Sequence, residues 1–559
     1  MRFEVRIKNE EGSRRCFFFI LHSNFELLSP CYSDLHPVKP FVLSLAFLLG
    51  GGVLAAEPFR VGKITVRTLD VYSSDEAEKG WLYRVADRLH IETRRGVVEK
   101  FLLFRSGEEY RPELLAQTER NLRALRFLKS ASVVAAPPHD GVVDVVVTTQ
   151  DAWSIAPETQ AGSKGGESTY GATLADSNLI GLGKEIELEW DKGLDRSRLG
   201  VNYSDPAFFA PYWNAKFGYA HNSDGYDHRF SVVRPFYSFT TPWSAELSFT
   251  GFTQEDHLYA GGLEQERFRH HRSEIVGSYG RALRAGDDGA TRLVAGMRLV
   301  DNSFATLSSH RLASPPEPRQ FRYLFLRFDR VENDFVKVNF VNKDIRFEDF
   351  NLGRQTSIEA AVSPQAFGPD SNTAFVRIAA ADGKRIDGDG FLLPAFSVSS
   401  RFDGGPAHTI ASTSLLMVRR TDARYPRALV GRIAVTNGWR IDRDVQFFAD
   451  GLTGLRGYRA HSFAGSRAIV MNLEERLYLG REILQLASPG IVAFVDAGNA
   501  TYGGFADLMK LKTDVGVGIR VGLPRTPKNL LRVDFSYALN ADPLQRRGWM
   551  VSFSSGQAF

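Results

Sequence analysis

The sequence of 559 residues contains only two cysteines, Cys16 and Cys31, and both precede an apolar stretch at residues 41–56. This stretch follows Lys39 and ends in small residues up to Ala56, so it has the features of a secretory signal peptide. Cleavage after this stretch would leave a mature chain without cysteine. Such a chain needs no disulfides and cannot form a thiolate metal site.

We therefore predict that residues 1–56 are a leader with a signal peptide. The basic segment of a signal peptide usually lies within a few residues of the translation start. Our hypothesis is that translation begins near Val38 at a non-AUG codon, which would place Lys39 in that segment. N-terminal sequencing of the unprocessed precursor tests this, and a precursor that begins at Met1 would contradict it.

Long apolar runs are also lacking after the N-terminal region, since none reaches eighteen residues. Helical membrane spans are therefore not expected, whereas transmembrane strands, whose apolar positions alternate with polar ones, remain compatible with the sequence. The formal net charge of +4 is small for this length. It gives no reason to expect a nucleic-acid partner.

Catalytic signatures are absent as well. The sequence has no Gly-x-Ser-x-Gly nucleophile elbow and no His-Glu-x-x-His zinc motif, and Gly181-Leu182-Gly183 lacks the strand and helix of a dinucleotide site. We expect no enzymatic activity, no cofactor and no metal.

Residues 57–150 have a mixed pattern that predicts a small α+β domain. It consists of a strand around Ile64–Asp70, a helix that begins at Pro112, and two strands around Ser132–Ala136 and Val142–Thr148. Further helical segments are expected near Thr93 and, as an insertion, around Trp81-Leu82-Tyr83.

From Asp151 onward, alternating apolar and polar segments are separated by clusters of Gly, Asn, Asp and Pro. In Glu185–Trp190 the acidic residues fall on one face and the apolar residues on the other. At about 20 to 26 residues per strand and turn, residues 151–559 fit about sixteen strands of a transmembrane barrel. Short turns, such as Asp205-Pro206 and Thr241-Pro242, should alternate with longer outer loops.

Three motifs near the C-terminus bring charge to these strands: Leu455-Arg456-Gly457-Tyr458, Asn472-Leu473-Glu474 and Phe494–Gly498, which contains Asp496. Alternation places Glu474 on the side opposite Leu473, and Asp496 on the side opposite its aliphatic neighbours. In a membrane barrel, both carboxylates would point into the lumen.

In their order and spacing, these motifs resemble the BamA/TamA superfamily of bacterial outer-membrane assembly and translocation proteins, which includes the bacterial surface antigen type. The resemblance implies a sixteen-stranded outer-membrane barrel at residues 151–559, preceded by one periplasmic POTRA domain at residues 57–150. It also implies an outer loop that folds back into the barrel, where Arg456 pairs with Glu474 and Asp496. Gly457 would permit a tight turn and Tyr458 would pack on the wall. An alternative is that the same ions only stiffen a plugged barrel.

A second candidate site is the seam between the first and last barrel strands, expected near Thr169–Ala175 and Gly548–Phe559. Gly171 would weaken the first strand, although an ordinary barrel glycine explains it equally well. Trp549, Phe553 and Phe559 fall on one face and resemble the C-terminal signal by which barrels are recognised for insertion.

The resemblance implies insertion or translocation of polypeptides at the outer membrane. Partners would be unfolded or nascent outer-membrane polypeptides, outer-membrane lipids, and periplasmic chaperones or lipoproteins. Two alternatives remain: a two-partner-secretion transporter of one dedicated soluble protein, and a passive porin.

Overall fold

The computed structural model describes residues 2–7, 14–19, 58–71, 91–307, 315–343, 346–386, 388–421, 423–479, 481–483, 487–523 and 530–559. The chain divides into two units between Ala56 and Glu57. In the first unit, β1 (Arg2–Ile7) pairs antiparallel with β2 (Arg14–Phe19). The predicted signal peptide lies outside the described residues.

The second unit begins with a small α+β module. Its elements are β3 (Arg60–Leu69), α1 (Arg95–Glu99), α2 (Pro112–Arg123), β4 (Leu128–Ala135) and β5 (Val142–Asp151). The central strand β5 runs parallel to β3 and antiparallel to β4. The helix predicted to begin at Pro112 is confirmed, and Leu115, Thr118 and Leu122 form its buried face. The insertion expected around Trp81-Leu82-Tyr83 lies outside the described residues.

The module packs directly on one rim of the large sheet that follows. Tyr212, from a connection of that sheet, belongs to the hydrophobic core of the module and donates a hydrogen bond to the Phe101 carbonyl oxygen. Its ring stacks on Tyr237 with the centroids 3.7 Å apart. An ion pair of 2.7 Å joins Arg126 to Glu185. We call this rim the module side and the opposite rim the loop side.

The remaining strands form one antiparallel sheet whose order follows the chain. They are β6 (Ile155–Lys164), β7 (Glu167–Asp176), β8 (Glu185–Lys192), β9 (Ser197–Asp205), β10 (Asn214–Asn222), β11 (Gly225–Arg234), β12 (Trp243–Ala260), β13 (Leu263–Gly286), β14 (Gly289–Thr306), β15 (Arg319–Glu332), β18 (Gln355–Ser363), β19 (Thr373–Ala381), β20 (Lys384–Arg385), β21 (Phe391–Phe402), β22 (Pro406–Thr421), β23 (Arg427–Trp439), β26 (Arg467–Tyr478), β27 (Ser488–Thr501), β28 (Lys512–Gly522), β29 (Leu530–Ala538) and β30 (Trp549–Ser555). Two hairpins lie outside the sheet, β16 (Phe335–Val338) with β17 (Glu348–Asn351) and β24 (Phe447–Phe448) with β25 (Ala464–Gly465), as does the short helix α3 (Phe505–Leu508).

The predicted alternation of side chains is confirmed on β8. Ile186, Leu188 and Trp190 are exposed on one face, whereas Glu189 faces the other way and accepts a 2.6 Å hydrogen bond from Arg198. Large apolar side chains thus cover the outside of the sheet and ion pairs line its inside. No helix among the described residues is long and apolar enough to cross a membrane.

The expected number of sixteen strands is wrong, because the described residues form about twenty. Many hairpins are tight, for example the one that joins β6 to β7 through Gly165 and Gly166, so the spacing falls at the lower end of the expected range. The prediction of short turns on the module side is also wrong for residues 333–354. This connection contains β16 and β17, and it packs under the barrel instead of ending in solvent.

The position of the first strand requires a further correction. The sheet begins with β6 and not with Thr169–Ala175, which belongs to β7. Gly171 therefore lies inside the sheet, paired with Gln160 on one side and Asp191 on the other, and is not at the seam. The reason is that Ile155–Lys164 already pairs as a strand despite its weak apolar alternation.

The two ends of the sheet are hardly joined. Within the described residues β30 meets β6 through a single register pair, Phe553 with Ser163, whereas β29 and β30 share seven pairs. We call this junction the seam. Most backbone groups along the facing edges of β6 and β30 therefore lie outside any ladder between these two strands.

Candidate functional site

Residues 440–466, which connect β23 to β26, form what we call the inner loop. They leave the loop side of the barrel and turn back into it. Both Arg456 and Tyr458 are only 2% exposed, although neither belongs to a strand.

Arg456 is held by the two carboxylates that the sequence indicated. Its Nε and Nη2 donate to the two oxygens of Asp496 at 2.7 and 2.8 Å, and its Nη1 donates to Glu474 Oε1. The guanidinium also lies over the Phe494 ring, 3.4 Å from its centroid. A bidentate pair fixes direction as well as distance. The structure therefore brings Arg456, Glu474 and Asp496 together at one depth in the barrel.

Further buried charged side chains surround this pair, and the sequence did not predict them as part of the site. Arg476 Nε donates to Glu474 Oε2 at 2.6 Å, and Arg520 Nη1 donates to Asp534 Oδ1 at 2.6 Å. Asp534 Oδ2 in turn lies 3.5 Å from Arg456 Nη1. Alternation along β28 and β29 places Arg520 and Asp534 on the inner face. The same alternation in the sequence could therefore have identified these two residues as inward-facing.

Polar side chains also hold the backbone of the inner loop. Asn472 Nδ2 donates to the Gly454 carbonyl oxygen at 2.7 Å, and Ser536 Oγ donates to the Arg456 carbonyl oxygen at 2.8 Å. Tyr458 packs as predicted against the wall, where its hydroxyl donates to the Thr513 carbonyl oxygen at 2.9 Å. Four strands, from β26 to β29, thus contact the loop.

Gly457 leaves no room for a side chain. A Cβ at this position would lie 2.6 Å from the Cβ of Asp514 and 3.1 Å from the Ala538 amide nitrogen. Close approach of the loop to β28 and β29 therefore requires glycine here, and the requirement is steric.

The inner loop also touches the other side of the seam. The Ala460 amide donates to the Gly165 carbonyl oxygen at 2.9 Å, in the turn between β6 and β7. Gly165 has a φ of +58°, and a Cβ at Gly451 would lie 2.5 Å from the Gly165 Cα. The same loop therefore contacts both the last strands and the first hairpin of the sheet.

A second anchor lies at the beginning of the inner loop. The two oxygens of Asp442 accept hydrogen bonds from Arg401 of β21 at 2.8 and 2.9 Å, and Asp444 accepts one from Arg319 of β15 at 2.8 Å. Arg456 is held on β26 and β27, so the loop spans the lumen between two parts of the wall.

The C-terminal residues do not all share one face. Trp549 is 75% exposed on the outside, and Phe553 lies in the same row. The chain turns inward at Gly556, where φ is +81°. Beyond this turn Gln557 donates to the Tyr478 hydroxyl at 3.0 Å, and the Phe559 ring lies 5.5 Å from the Arg476 guanidinium. The expectation that Phe559 continues the outer row is therefore wrong, because the left-handed turn at Gly556 breaks the alternation.

The fold and the site define a class of protein: a large antiparallel barrel with a weak seam and an ion-held loop inside. Similar solved structures include BamA from Haemophilus ducreyi lacking POTRA domains 1–3, with 12% identity and a TM-score of 0.36 over 88% of this chain and 84% of that one. CdiB from Acinetobacter baumannii is 12% identical with a TM-score of 0.46 over 89% of this chain and 74% of that one. CdiB from Escherichia coli is 12% identical with a TM-score of 0.46, over 89% and 76%. No family model matches the sequence, and no curated protein matches it. At these TM-scores, function has to be argued from the geometry of the chain itself.

Proposed function

We propose that this chain is a bacterial outer-membrane protein that inserts or translocates polypeptides by contact at its seam. The observation that carries the proposal is the combination of two features. Within the part of the chain that the structure describes, the seam has a single register pair, and the inner loop contacts the strands on both sides of it. This function needs no bond chemistry, and we propose that the protein uses no enzymatic step and no cofactor.

The membrane assignment is supported by the outer surface of the sheet. Large apolar side chains point outward on strands far apart in the barrel, including Trp190 on β8, Leu326 on β15 and Val517 on β28, which are 47%, 50% and 59% exposed. A soluble protein rarely exposes large apolar side chains on one strand after another, whereas a lipid-facing surface requires them. With ion pairs on the inner face, this is the polarity of an outer-membrane barrel.

In the same proposal the small module is a periplasmic POTRA domain. It has the expected order of a strand, two helices and two strands, with α2 packed on the sheet. Because β5 is central, the outer edges of β3 and β4 pair with no other named strand, although residues 107–110 hydrogen-bond to the beginning of β3 at Phe59 and Val61. Such an edge offers backbone groups to an extended client segment or to a periplasmic partner protein.

Strand addition at the seam gives a direct mechanism. The edges of β6 and β30 carry backbone donors and acceptors that are not used between these two strands, so an incoming strand can pair with either of them. The inner loop then keeps the loop-side ends of β26 to β29 and the first hairpin together while the gap widens on the module side. Lipid lies outside the gap, so a client strand that leaves it enters the membrane.

The proposal is tested by placing a photo-crosslinking amino acid at Ser163 or at Phe553 in living cells, with Leu326 as a lipid-facing control far from the seam. We expect adducts with nascent outer-membrane barrels at the two seam positions and none at Leu326. Adducts with one exported soluble protein would support the two-partner-secretion alternative instead.

No adducts at all, together with wide steady conductance of the purified protein, would support a passive porin. The inner loop that spans the lumen argues against that outcome, since Asp442 and Arg456 anchor it at two separate parts of the wall.

A further inference from the structure

The module-side hairpin, residues 333–354 with β16 and β17, lies across the mouth of the barrel below the inner loop. Its residues 338–341, at the end of β16, are buried, and Val338, Phe340 and Val341 are 2%, 3% and 1% exposed. Leu352 at its end belongs to the same hydrophobic cluster as Phe391 and Val430 of the barrel wall. The hairpin is therefore packed inside the barrel mouth.

One side of the module-side hairpin is tied to helix α2 of the module. Arg123 Nη2 donates to Asp349 Oδ1 at 2.7 Å, and Arg123 Nε donates to Asp349 Oδ2 at 3.1 Å. Lys337 Nζ donates to Glu119 Oε1 at 3.1 Å. The side chains of Arg123 and Asp349 are 12% and 17% exposed, so water screens their attraction less than on an open surface. A displacement of α2 would therefore pull on the hairpin.

The other side of the hairpin holds the end of the chain. Phe559 packs against the cluster that contains Val338 and Val341. The Val341 carbonyl oxygen also accepts a hydrogen bond from Arg476, whose guanidinium faces the Phe559 ring. Phe340 stacks at 4.7 Å on Tyr478, the residue whose hydroxyl accepts the hydrogen bond from Gln557.

We propose that the module-side hairpin is a relay that couples the module to the seam. While the module contacts the rim, the hairpin keeps the segment after Gly556 inside the barrel and holds the module-side end of β30 near β6. When a client or partner moves α2 away from the rim, the hairpin moves with it and Phe559 loses its packing. The module-side end of β30 can then separate from β6. This inference rests on the proposed function, because it assigns a regulator to the seam.

The relay is tested on the purified full chain, without any client, by hydrogen–deuterium exchange followed by mass spectrometry. The double variant Asp349→Ala with Lys337→Ala removes the ionic ties to α2 and leaves the contact of Arg120 with the Phe335 ring, so the module holds the hairpin less firmly against Phe559. We expect exchange in the β30 peptide to rise about tenfold, because an edge strand that loses its lateral support opens locally. Exchange in β12, which has no residue in the hydrophobic cluster around the hairpin, should stay unchanged.

The matched control is Asp389→Ala, which removes an exposed acid from the module-side rim. Asp389 forms an ion pair with Arg420, which lies outside the hairpin and the module. This variant should leave β30 exchange at the wild-type rate. Unchanged β30 exchange in the double variant would overturn the relay, and so would an equal rise in every strand, since that result means general destabilisation.

The two proposals fail separately. If β30 exchange rises locally in the double variant but no client adducts form at Ser163 or Phe553, the relay is supported and the proposed function is contradicted. Client adducts with unaltered β30 exchange in the double variant would do the reverse.

Discussion

Replacing Arg456 by alanine should release the inner loop from the barrel wall. The change removes the bidentate pair with Asp496 and the bond to Glu474, and it leaves two buried carboxylates with fewer partners. Breaking one side of a buried ion pair typically costs about 3 to 5 kcal/mol. The lower value applies here, because Arg476 still binds Glu474 and Asn472 still binds Asp496.

A cost of about 3 kcal/mol raises the population of the released loop by roughly 100-fold, as long as that state remains the minor one. Ser462 reports on it, since the side chain is buried in the seated loop. The sequence has no cysteine after Cys31, so Ser462→Cys introduces a single thiol into residues 57–559. Its reaction with a polar maleimide, measured on purified protein, should be about 100-fold faster in the Arg456→Ala background.

The matched control is Arg459→Ala, which removes an exposed arginine three residues further along the same loop. It should leave the reaction rate of the thiol unchanged. If Arg456→Ala also leaves the rate unchanged, the backbone contacts through Ser536 and Tyr458 hold the loop by themselves, and the ionic anchor has no role in seating it. We further expect the Arg456→Ala barrel to insert into membranes but to work poorly, and full activity would contradict the functional role.

Four further results are predicted. Asp496→Asn should release the loop about as strongly as Arg456→Ala. Asp514→Asn should instead leave the midpoint of a thermal melt nearly unchanged, because the Asp514 carboxylate lies beside the like-charged Asp496 and its oxygens have no hydrogen-bond partner among the described residues. Gly457→Ala should speed thiol labelling at position 462, since its Cβ would meet the Asp514 Cβ at 2.6 Å. Arg385 lowers the pKa of Asp334 through a hydrogen bond at the base of the module-side hairpin. The bond therefore stabilises the folded hairpin above the unfolded pKa of about 3.9, and this stabilisation is lost as the pH falls through the lower folded pKa. Hydroxyl-radical footprinting at acid and neutral pH should show increased reactivity of the hairpin at acid pH in the wild type, and no such pH dependence in Asp334→Asn.

The sequence allowed the ionic site to be predicted because strand parity is a local property. Once Leu473 and Val495 are taken as outward-facing, Glu474 and Asp496 must face inward. Parity does not identify their partner, and the pairing with Arg456 was implied by the resemblance of the motifs to the BamA/TamA superfamily. The helix from Pro112 followed from the same kind of periodicity. The number of strands was harder to predict from the sequence, because it depends on the lengths of the turns. A change of a few residues per hairpin converts sixteen strands into about twenty.

The seam and the hairpin could not be found this way, because their positions depend on tertiary pairing. Nothing local in Ile155–Lys164 shows that this strand, and not the next one, meets β30. Residues 333–354 have ordinary strand character, and only their contacts with Glu119, Arg123 and Phe559 show that they lie inside the mouth. The inward turn at Gly556 likewise needs Tyr478 and Arg476 as partners, and both come from a strand nearly eighty residues earlier.

The arrangement of these parts answers how a barrel can keep a weak seam without falling open. A seam with one register pair among the described residues forgoes most of the ladder hydrogen bonds that join neighbouring strands elsewhere in the sheet. The inner loop bridges the seam on the loop side, from Ser536 to Gly165, and the module-side hairpin holds Phe559 at the other end. Neither support pairs with the facing edges of β6 and β30. The inner loop contacts the wall through Arg456 and Ser536 and the first hairpin through Gly165, whereas the module-side hairpin contacts Phe559 by apolar packing. The edges of β6 and β30 can therefore pair with a client strand while these supports stay in contact with the barrel. A seam closed by its own ladder would have to break several hydrogen bonds before it could accept a client strand.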